Sequence, residues 1–245
     1  MIKTYFAGVV LFALTTAAQD KKPVEITSEP HHHQVLQNSF VRVFSVSVEP
    51  KGSTLVHRHD HNYIGVTLTD SEITNAKEGQ QPVQAKFKAG DNRYTAAPLV
   101  HAITNNSDST PYRNVTIELM QSTTNEQACK ESCSIPVPCE GQSQGTCANV
   151  DKLFSANEWT VTQVTIPAGG VYPQHSHSGS FLSVPLTDGK LKVRSQQGSE
   201  STENRKMGEI KWSEPVSHTI TNAGTAPFKV IVLEFSSKAA GELPR

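Results

Sequence analysis

Two histidine pairs, each with one residue between the histidines, are the strongest chemical signal in the 245-residue chain. The sequence HRHDHNYIGVTLTD at 57–70 returns 118 positions later as HSHSGSFLSVPLTD at 175–188. A third histidine follows each pair within a second repeated sequence, PLVHAITN at 98–105 and PVSHTITN at 215–222. Neutral imidazole is a common metal ligand, so three histidines at a repeated spacing predict metal binding twice in one chain.

The spacing within each pair predicts how the histidines are placed. Residues two apart on a strand point to the same face, so both histidines of a pair project to one side. A third imidazole from a neighbouring strand suits a divalent transition metal such as Fe, Mn, Cu, Ni or Zn, and leaves positions open for water or substrate. The candidate ligands are His57, His59 and His101 in the first set and His175, His177 and His218 in the second.

The elements that must position these histidines are repeated as well. TPYRNVTIEL at 110–119 corresponds to APFKVIVLEF at 226–235, so the chain consists of two homologous halves. Apolar and polar residues alternate in both halves, and turn formers such as Gly52 and Gly90 separate the alternating segments. This pattern is typical of short antiparallel strands, and no segment after the N-terminal leader has the periodicity of an amphipathic helix. The sequence therefore predicts an all-β barrel or sandwich in each half.

Both halves resemble the cupins, in which a glycine precedes a His-x-His pair and a second glycine, a proline, a third histidine and an asparagine follow. The corresponding residues here are Gly52, His57, His59, Gly90, Pro98, His101 and Asn105, then Gly170, His175, His177, Gly208, Pro215, His218 and Asn222. The resemblance implies a bicupin: two tandem jelly-roll barrels, each with a metal at its centre. It does not decide the function, because cupins include dioxygenases, decarboxylases, isomerases and binding proteins.

The sequence departs from the cupin pattern at one position in each half. Many cupins carry a glutamate ligand four residues after the second histidine, whereas this chain has Tyr63 and Phe181 there. Three-histidine sites without an acid occur among cupin thiol and diketone dioxygenases, so the resemblance disfavours oxalate decarboxylase and oxalate oxidase activity. Tyr63 is a candidate catalytic residue, since its hydroxyl could orient a bound intermediate, although packing is the commoner role. Because Phe181 can only pack, the first site is the better catalytic candidate.

Other polar residues near the histidines have alternative interpretations. His61 shares the inward direction of the first pair, and it is either a substitute ligand or a residue turned outward at the strand end. Residues 31–33 are three consecutive histidines without a counterpart in the second half, and exposed chain is expected there. Glu118 and Glu234 correspond to each other, and a solvated outer face is the favoured location for both.

Charge and the N-terminal sequence limit the partners and the compartment. A net charge of -1 provides no basic surface for nucleic acid, so a small molecule is the expected ligand. Residues 1–18 have the layout of a secretory signal: Lys3, an apolar run at 5–14, and small residues up to Ala18. The apolar run is shorter than the roughly 20 residues of a membrane-spanning helix. We expect a secreted or periplasmic protein that has no membrane contact after cleavage.

The four cysteines all lie between the two halves, at Cys129, Cys133, Cys139 and Cys147. In an exported protein such a cluster favours two disulfides, and the alternative is a zinc site with four thiolates. Three disulfide pairings remain open. The predicted divisions are a signal peptide at 1–18, an N-terminal barrel at 31–121, a cysteine-rich linker at 122–150 and a C-terminal barrel at 151–237.

Three classes of function agree with these residues. The first is an exported metal-dependent enzyme that uses oxygen to act on a small organic substrate in the N-terminal barrel, where the metal is Lewis acid and template. The second is a cupin that binds a metal or small ligand without turnover, and the third is an isomerase with a metal-free pocket. The third leaves the repeated histidines unexplained. Cupins often pair through edge strands, so a homodimer is a candidate assembly.

Overall fold

The computed structural model describes residues 22–120, 127–128, 134–139, 141 and 145–236, whose regular structure is almost entirely β-strand. Its strands in the first half are β1 (Val24–Glu25), β2 (His32–Gln37), β3 (Val41–Val48), β4 (His57–His59), β5 (Tyr63–Thr67), β6 (Ser71–Lys77), β7 (Val83–Phe87), β8 (Asn92–Thr95), β9 (Leu99–Asn105) and β10 (Tyr112–Leu119). A short 3-10 helix spans Ile26–Ser28.

The remaining strands are β11 (Gln127–Ala128), β12 (Ser134–Ile135), β13 (Asn149–Ser155), β14 (Trp159–Ile166), β15 (Val171–His177), β16 (Phe181–Pro185), β17 (Gly189–Ser195), β18 (Glu200–Arg205), β19 (Lys211–Ser213), β20 (Val216–Asn222) and β21 (Phe228–Phe235). Within the described ranges, no helix has the length and apolar character needed to span a membrane.

Each half consists of two sheets, and the order of the strands is repeated. The first half has the orders β1-β4-β9-β6-β7 and β2-β3-β10-β5-β8. The second half has β15-β20-β17-β18 and β11-β13-β14-β21-β16-β19, with β12 also paired to β13. Every strand from β2 to β10 thus has an equivalent between β13 and β21. The prediction of two all-β jelly-roll barrels is confirmed.

The two barrels share one apolar core, in which buried side chains of both halves are packed together. On the first half they come mainly from β3, β5 and β10, and on the second from β14, β16 and β21. The ring of Phe40 lies 5.5 Å from that of Trp212 and 5.0 Å from that of Phe235. Side chains on both faces of a strand are buried when its sheet is covered on both sides. This explains why residues 114–119 of β10 are all buried.

A glycine of each half approaches this shared core at equivalent positions. Gly90 and Gly208 have positive φ values of 97° and 79°, which only glycine adopts without strain. A Cβ atom at Gly90 would lie 3.3 Å from Leu186 Cδ1, and one at Gly208 would lie 2.6 Å from Leu68 Cδ1. The glycine of the second cupin motif therefore serves both a tight turn and the close contact between the barrels.

The segment between the barrels is attached to the second one. Strands β11 and β12 both pair with β13, and Val137 packs against the apolar cluster of the C-terminal barrel. Cys139 and Cys147 form a disulfide, which agrees with the predicted disulfides and not with a zinc site of four thiolates. Cys129, Cys133 and residues 1–18 lie outside the described residues. In the N-terminal barrel, β1 pairs with β4 and begins at Val24, seven residues before the predicted start of that barrel at position 31.

Candidate metal centres

The first centre forms where β4 lies beside β9, with His57 directly opposite His101 in the strand register. The His57 ring lies 4.6 Å from the His101 ring and 5.1 Å from the His59 ring, and the His59 and His101 rings are 5.2 Å apart. All three side chains are buried. The structure therefore brings together the three histidines that the sequence predicted as one ligand set.

Outer partners turn the Nε2 atoms of this set toward one another. His57 Nδ1 donates to the Leu55 carbonyl oxygen at 2.9 Å, and His101 Nδ1 donates to Asn75 Oδ1 at 3.0 Å. His59 Nδ1 faces the carboxylate of Glu118 at 3.5 Å. His59 Nε2 and His101 Nε2 then lie 3.2 Å apart, and His57 Nε2 is buried without a hydrogen-bond partner.

These nitrogen atoms fit a bound transition metal. A ring whose Nδ1 carries the hydrogen has a bare lone pair on Nε2, so two such atoms cannot hydrogen-bond to each other. Burial, reinforced by the neighbouring histidines, lowers the pKa of His57 to about 4 and that of His101 to about 2, so both are neutral near pH 7. Nitrogen ligands about 2.1 Å from one metal at a right angle are about 3.0 Å apart, close to the separation of His59 and His101.

His32 is part of this cluster, and the prediction of exposed chain is wrong for it. Its side chain is buried, and its ring lies 4.7 Å from the ring of His57. The ligand atoms of His32, His57 and His59 all lie within 4.8 Å of one another. His33, the next residue on β2, is exposed as predicted. The repeat gave no indication of His32, because the residue 118 positions later is Val150.

The aromatic residues at the missing glutamate position stack on the second histidine of each pair. The Tyr63 ring lies 4.3 Å from the ring of His59 at 22°, and the Phe181 ring lies 4.0 Å from the ring of His177 at the same angle. Burial raises the pKa of Tyr63, and a hydrogen bond with Thr95 opposes this increase. Tyr63 therefore packs against a candidate ligand. His61 lies in the bend after β4, outside the histidine cluster.

Glu118 and Glu234 lie beside the candidate metal ligands, so the prediction of a solvated outer face is wrong. Glu118 is fully buried and accepts a hydrogen bond from Arg42 Nε at 2.7 Å. Glu234 accepts hydrogen bonds from His177 Nδ1 at 2.9 Å and from the Ser178 amide. Burial opposes ionisation of both carboxyls, but these contacts outweigh it and lower both pKa values.

The second centre repeats this arrangement between β15 and β20, where His175 is opposite His218. Their Nε2 atoms are 3.0 Å apart, and the His177 ring lies 5.2 Å from that of His175 and 5.5 Å from that of His218. His175 Nδ1 donates to the Pro173 carbonyl oxygen at 2.8 Å. Burial lowers the pKa values of His175 and His218 to about 4. The second predicted set of histidines is thus also brought together, and its side chains are less buried than those of the first set.

The two centres differ most in the space beside them. A cavity of about 880 Å³ fills the interior of the C-terminal barrel and is lined by all three histidines of the second centre. The cavity at the first centre has a volume of about 100 Å³. His32 contributes to this difference, since it lines the small cavity at the position that Val150 occupies in the larger one.

The large cavity has mostly apolar walls and a buried cation. Val164, Ile220 and Val232 are among its apolar residues. Arg205, at the end of β18, is buried and extends to Ser183 on the opposite sheet, with Nη1 at 3.3 Å and Nη2 at 3.4 Å from Ser183 Oγ. The sequence gave no signal for Arg205, because the equivalent residue of the first half is Phe87.

No protein-family model and no curated protein matches the chain. Among solved structures it is similar to AerE from Microcystis aeruginosa, with a TM-score of 0.56 and 15% identity over 85% of this chain and 99% of that one. A cupin 2 conserved barrel domain protein from Leptotrichia buccalis has a TM-score of 0.52 and 13% identity, over 88% of this chain and 91% of that one. Bacillus subtilis oxalate decarboxylase, which has Mn(II) centres, has a TM-score of 0.55 and 13% identity, over 87% of this chain and 79% of that one.

The chain has the cupin fold in its two-barrel form, with a histidine cluster in each barrel. At these identities the similarity establishes the fold alone. A fold shared with a decarboxylase does not assign a reaction, so the residues of the two sites must support any function.

Proposed function

We propose that the chain is a metal-binding bicupin whose C-terminal barrel uses oxygen to act on a small organic acid. The observation that carries this proposal is the cavity of about 880 Å³ lined by His175, His177 and His218. Ligand cavities in proteins usually measure about 300–1,000 Å³, so this one suits a small molecule. The cavity of about 100 Å³ at the first centre accommodates only a few water molecules. The sequence favoured the N-terminal barrel for the reaction, whereas the cavities favour the C-terminal one.

The three histidines of the second centre would hold a divalent transition metal. Pro173 and Glu234 accept from the Nδ1 atoms of His175 and His177, which directs both Nε2 lone pairs inward. Phe181 stacks on His177 where many cupins have a glutamate ligand, so an acid is absent from that position. When bound, iron or manganese would supply a centre for oxygen chemistry, with coordination positions left open by the three nitrogen ligands.

Arg205 supports a carboxylate-bearing substrate. A guanidinium has five N–H donors in a planar fork that matches a carboxylate. The contacts of these donors with described residues are long: Ser183 Oγ lies 3.3 Å from Nη1 and 3.4 Å from Nη2, and Glu209 Oε2 lies 3.2 Å from Nε. A buried cation among apolar walls is unfavourable without an anionic partner. An anion that enters the cavity would therefore gain much of its binding free energy from Arg205. The first half has Phe87 at this position, which agrees with a substrate site in the second barrel only.

The carboxylates around the cavity support metal-centred oxidation over acid and base chemistry. Glu203 accepts two hydrogen bonds of 2.8 Å from Lys211 Nζ, and Glu214 accepts from Ser180 Oγ and Trp212 Nε1. Glu234 is held by His177. Each described carboxylate of the lining is thus engaged as an ion-pair or hydrogen-bond partner. An isomerase with a metal-free pocket needs a free acid and base pair, which this arrangement does not favour.

Oxygen consumption by metal-loaded protein with a panel of small carboxylic acids tests the proposal. The full chain would be compared with His175→Ala, His57→Ala and Arg205→Met. We expect uptake in the wild type and in His57→Ala, none in His175→Ala, and a KM raised at least about 10-fold in Arg205→Met, because an ion pair desolvated with its partner contributes several kcal/mol.

The matching metal analysis decides how a negative result is interpreted. Elemental analysis should give one metal per site, and His175→Ala should lose the second-site metal alone. If that metal is present and no acid supports uptake in the presence of Fe, Mn, Cu, Ni or Zn, the enzyme proposal is wrong and a ligand-binding barrel replaces it. Uptake that persists in His175→Ala would instead assign the reaction to the N-terminal barrel.

We also propose that the protein is exported, as the layout of residues 1–18 predicts. The disulfide between Cys139 and Cys147 supports this proposal, because structural disulfides persist in oxidising compartments. Expression of the full chain in an exporting host, followed by mass spectrometry of the mature N-terminus, tests it. Cleavage near Ala18 is expected, whereas retention of Met1 on protein from the cell interior would contradict export.

A further inference from the structure

We propose that His32 is a fourth nitrogen ligand of the first metal centre and that Glu29 holds it in that role. A residue from the N-terminal strand β2 would then complete the centre, in a barrel whose usual glutamate position is occupied by Tyr63. This inference concerns the N-terminal barrel and does not depend on the reaction proposed for the C-terminal one.

The position of His32 is that of a ligand. Its side chain is 8% exposed, and its ring lies 4.7 Å from the ring of His57 and 6.2 Å from the ring of His59. The ligand atoms of these three residues lie within 4.8 Å of one another. Nitrogen ligands about 2.1 Å from one metal lie up to about 4.2 Å apart, so the three atoms are close to coordination distance.

Glu29 sets the tautomer of His32. Its buried carboxylate accepts hydrogen bonds from four donors: His32 Nδ1 at 2.6 Å, His31 Nδ1 at 3.0 Å, the His31 amide at 2.9 Å and the Leu55 amide at 3.1 Å. Two of these donors are backbone amides, which can only donate, so Glu29 is the acceptor of the set. The hydrogen therefore lies on His32 Nδ1, and His32 Nε2 carries a lone pair.

The charged groups around the centre favour a bound cation. The described ion pairs of Glu29 involve His31 and His32 alone, whereas Glu118 on the other side is neutralised by Arg42. A buried carboxylate whose described ion-pair partners are imidazoles, beside a buried imidazole nitrogen without a described partner, is unfavourable in a dry interior. A divalent metal compensates the charge and supplies a partner for the orphaned His57 Nε2. A carboxylate behind a ligating histidine is a recurrent arrangement in metal sites.

Four nitrogen ligands beside a cavity of about 100 Å³ describe a closed site. Closed sites stabilise a fold, whereas catalytic sites keep a position open. The consequence is a division between the barrels: the first centre is structural, and the N-terminal segment 24–37 is fastened to the barrel by its metal.

Metal titration of a His32→Ala variant tests the proposal, and the adjacent exposed His33 supplies the matched control, His33→Ala. Both changes would be made in full-length protein that carries His175→Ala and His218→Ala, so that only the first centre is loaded. We expect His32→Ala to weaken Zn²⁺ affinity at least about 10-fold and to change the visible spectrum of bound Co²⁺, because a ligand is lost. His33→Ala should retain the affinity and spectrum of its parent.

A second variant keeps the test decisive if His32→Ala does not fold. Glu29→Gln retains His32 but removes the negative charge behind it, and Zn²⁺ affinity should fall about 10- to 100-fold. A purely structural His32 predicts a different result: the metal-free melting temperature falls while Zn²⁺ affinity and the Co²⁺ spectrum remain those of the His33→Ala control. That result in His32→Ala, or unchanged affinity in a folded Glu29→Gln, would overturn the proposal.

Discussion

At the scale of single residues, each centre depends on groups behind the histidines as much as on the histidines themselves. Carbonyl oxygens of Leu55 and Pro173 hold the first histidine of each pair, and Glu118 and Glu234 lie behind the second. The hydrogen bonds to Leu55, Pro173 and Glu234 fix the tautomers of His57, His175 and His177 before any metal arrives. Preorganised ligands lose little conformational freedom on binding, which is a general source of affinity.

Replacement of Glu234 by glutamine should weaken metal binding at the second centre. The variant retains the size of the side chain but removes the charge that faces His177 Nδ1, so we expect affinity to fall about 10- to 100-fold. Competition with a chromophoric chelator, in a His57→Ala background, measures the change. Glu214→Gln is the control, since Glu214 lies in the same barrel but contacts Ser180 and Trp212. Equal effects of the two variants would show that Glu234 has no special role.

Replacement of Tyr63 by phenylalanine should leave metal binding at the first centre unchanged. The Tyr63 ring would still stack on His59, as Phe181 stacks on His177, and only the hydrogen bond with Thr95 is lost. The expected cost in the free energy of unfolding is about 1 kcal/mol. Urea denaturation and metal titration measure the two quantities. Loss of bound metal in the variant would mean that the hydroxyl itself takes part in binding.

The sequence predicted the six repeated histidines correctly as two spatial clusters, because strand parity and a repeated spacing both constrain them. It could not predict His32 or Arg205, because each lies in one half only and a repeat reveals what the halves share. Alternation correctly predicts opposite faces for Glu118 and Leu119, since Glu118 faces His59 and Leu119 belongs to the shared core. The prediction that the face with Glu118 is solvated is wrong. Alternation predicts which residues share a face of the strand, but it does not predict whether solvent or protein covers that face.

At the scale of elements, the turns that carry Gly90 and Gly208 connect the barrels. The turn between β18 and β19 places Gly208 against Leu68 of the other half, and the equivalent turn places Gly90 against Leu186. The strands were predictable from alternation and turn residues. The contact between the turns was not, because it joins positions far apart in the chain that no local pattern relates.

Gly208→Ala should therefore be more harmful than the same change at another glycine with positive φ. Gly198, in the turn between β17 and β18, has a φ of 88° and open space where a Cβ atom would lie, so it is the control. Both variants incur backbone strain of about 1–3 kcal/mol. Gly208→Ala adds a clash with buried Leu68, which costs about 1–3 kcal/mol more. Chemical denaturation measures the difference, and equal losses would contradict a tight contact between the barrels.

At the scale of the whole molecule, the two barrels are one folding unit. Their facing sheets share a single apolar core, so neither barrel could unfold without exposing the buried face of the other. Both tryptophans of the chain are at this contact: Trp159 within the shared core and Trp212 packed against it. Tryptophan fluorescence thus reports the packing between the barrels, whereas far-ultraviolet circular dichroism reports the strands of both.

We predict one unfolding transition, with coincident fluorescence and circular dichroism curves. Leu182→Ala, which removes a buried side chain of the shared core, should lower the free energy of unfolding by about 2–5 kcal/mol and shift both curves together. Metal-free protein should be used, so that loss of a metal does not add a separate step. Two resolved transitions, or a shift confined to one probe, would show that the barrels unfold independently.

The packing of equivalent strands from both halves against the shared core has the symmetry of a homodimer within one polypeptide. In a dimer of identical subunits, every substitution appears in both sites at once. Joining the two copies in one chain removes that restriction, so each site can change while the other is preserved. The first copy has His32 and a small cavity at its centre, whereas the second copy has a large cavity and the buried Arg205. Covalent linkage is what allows a symmetric scaffold to carry two different sites.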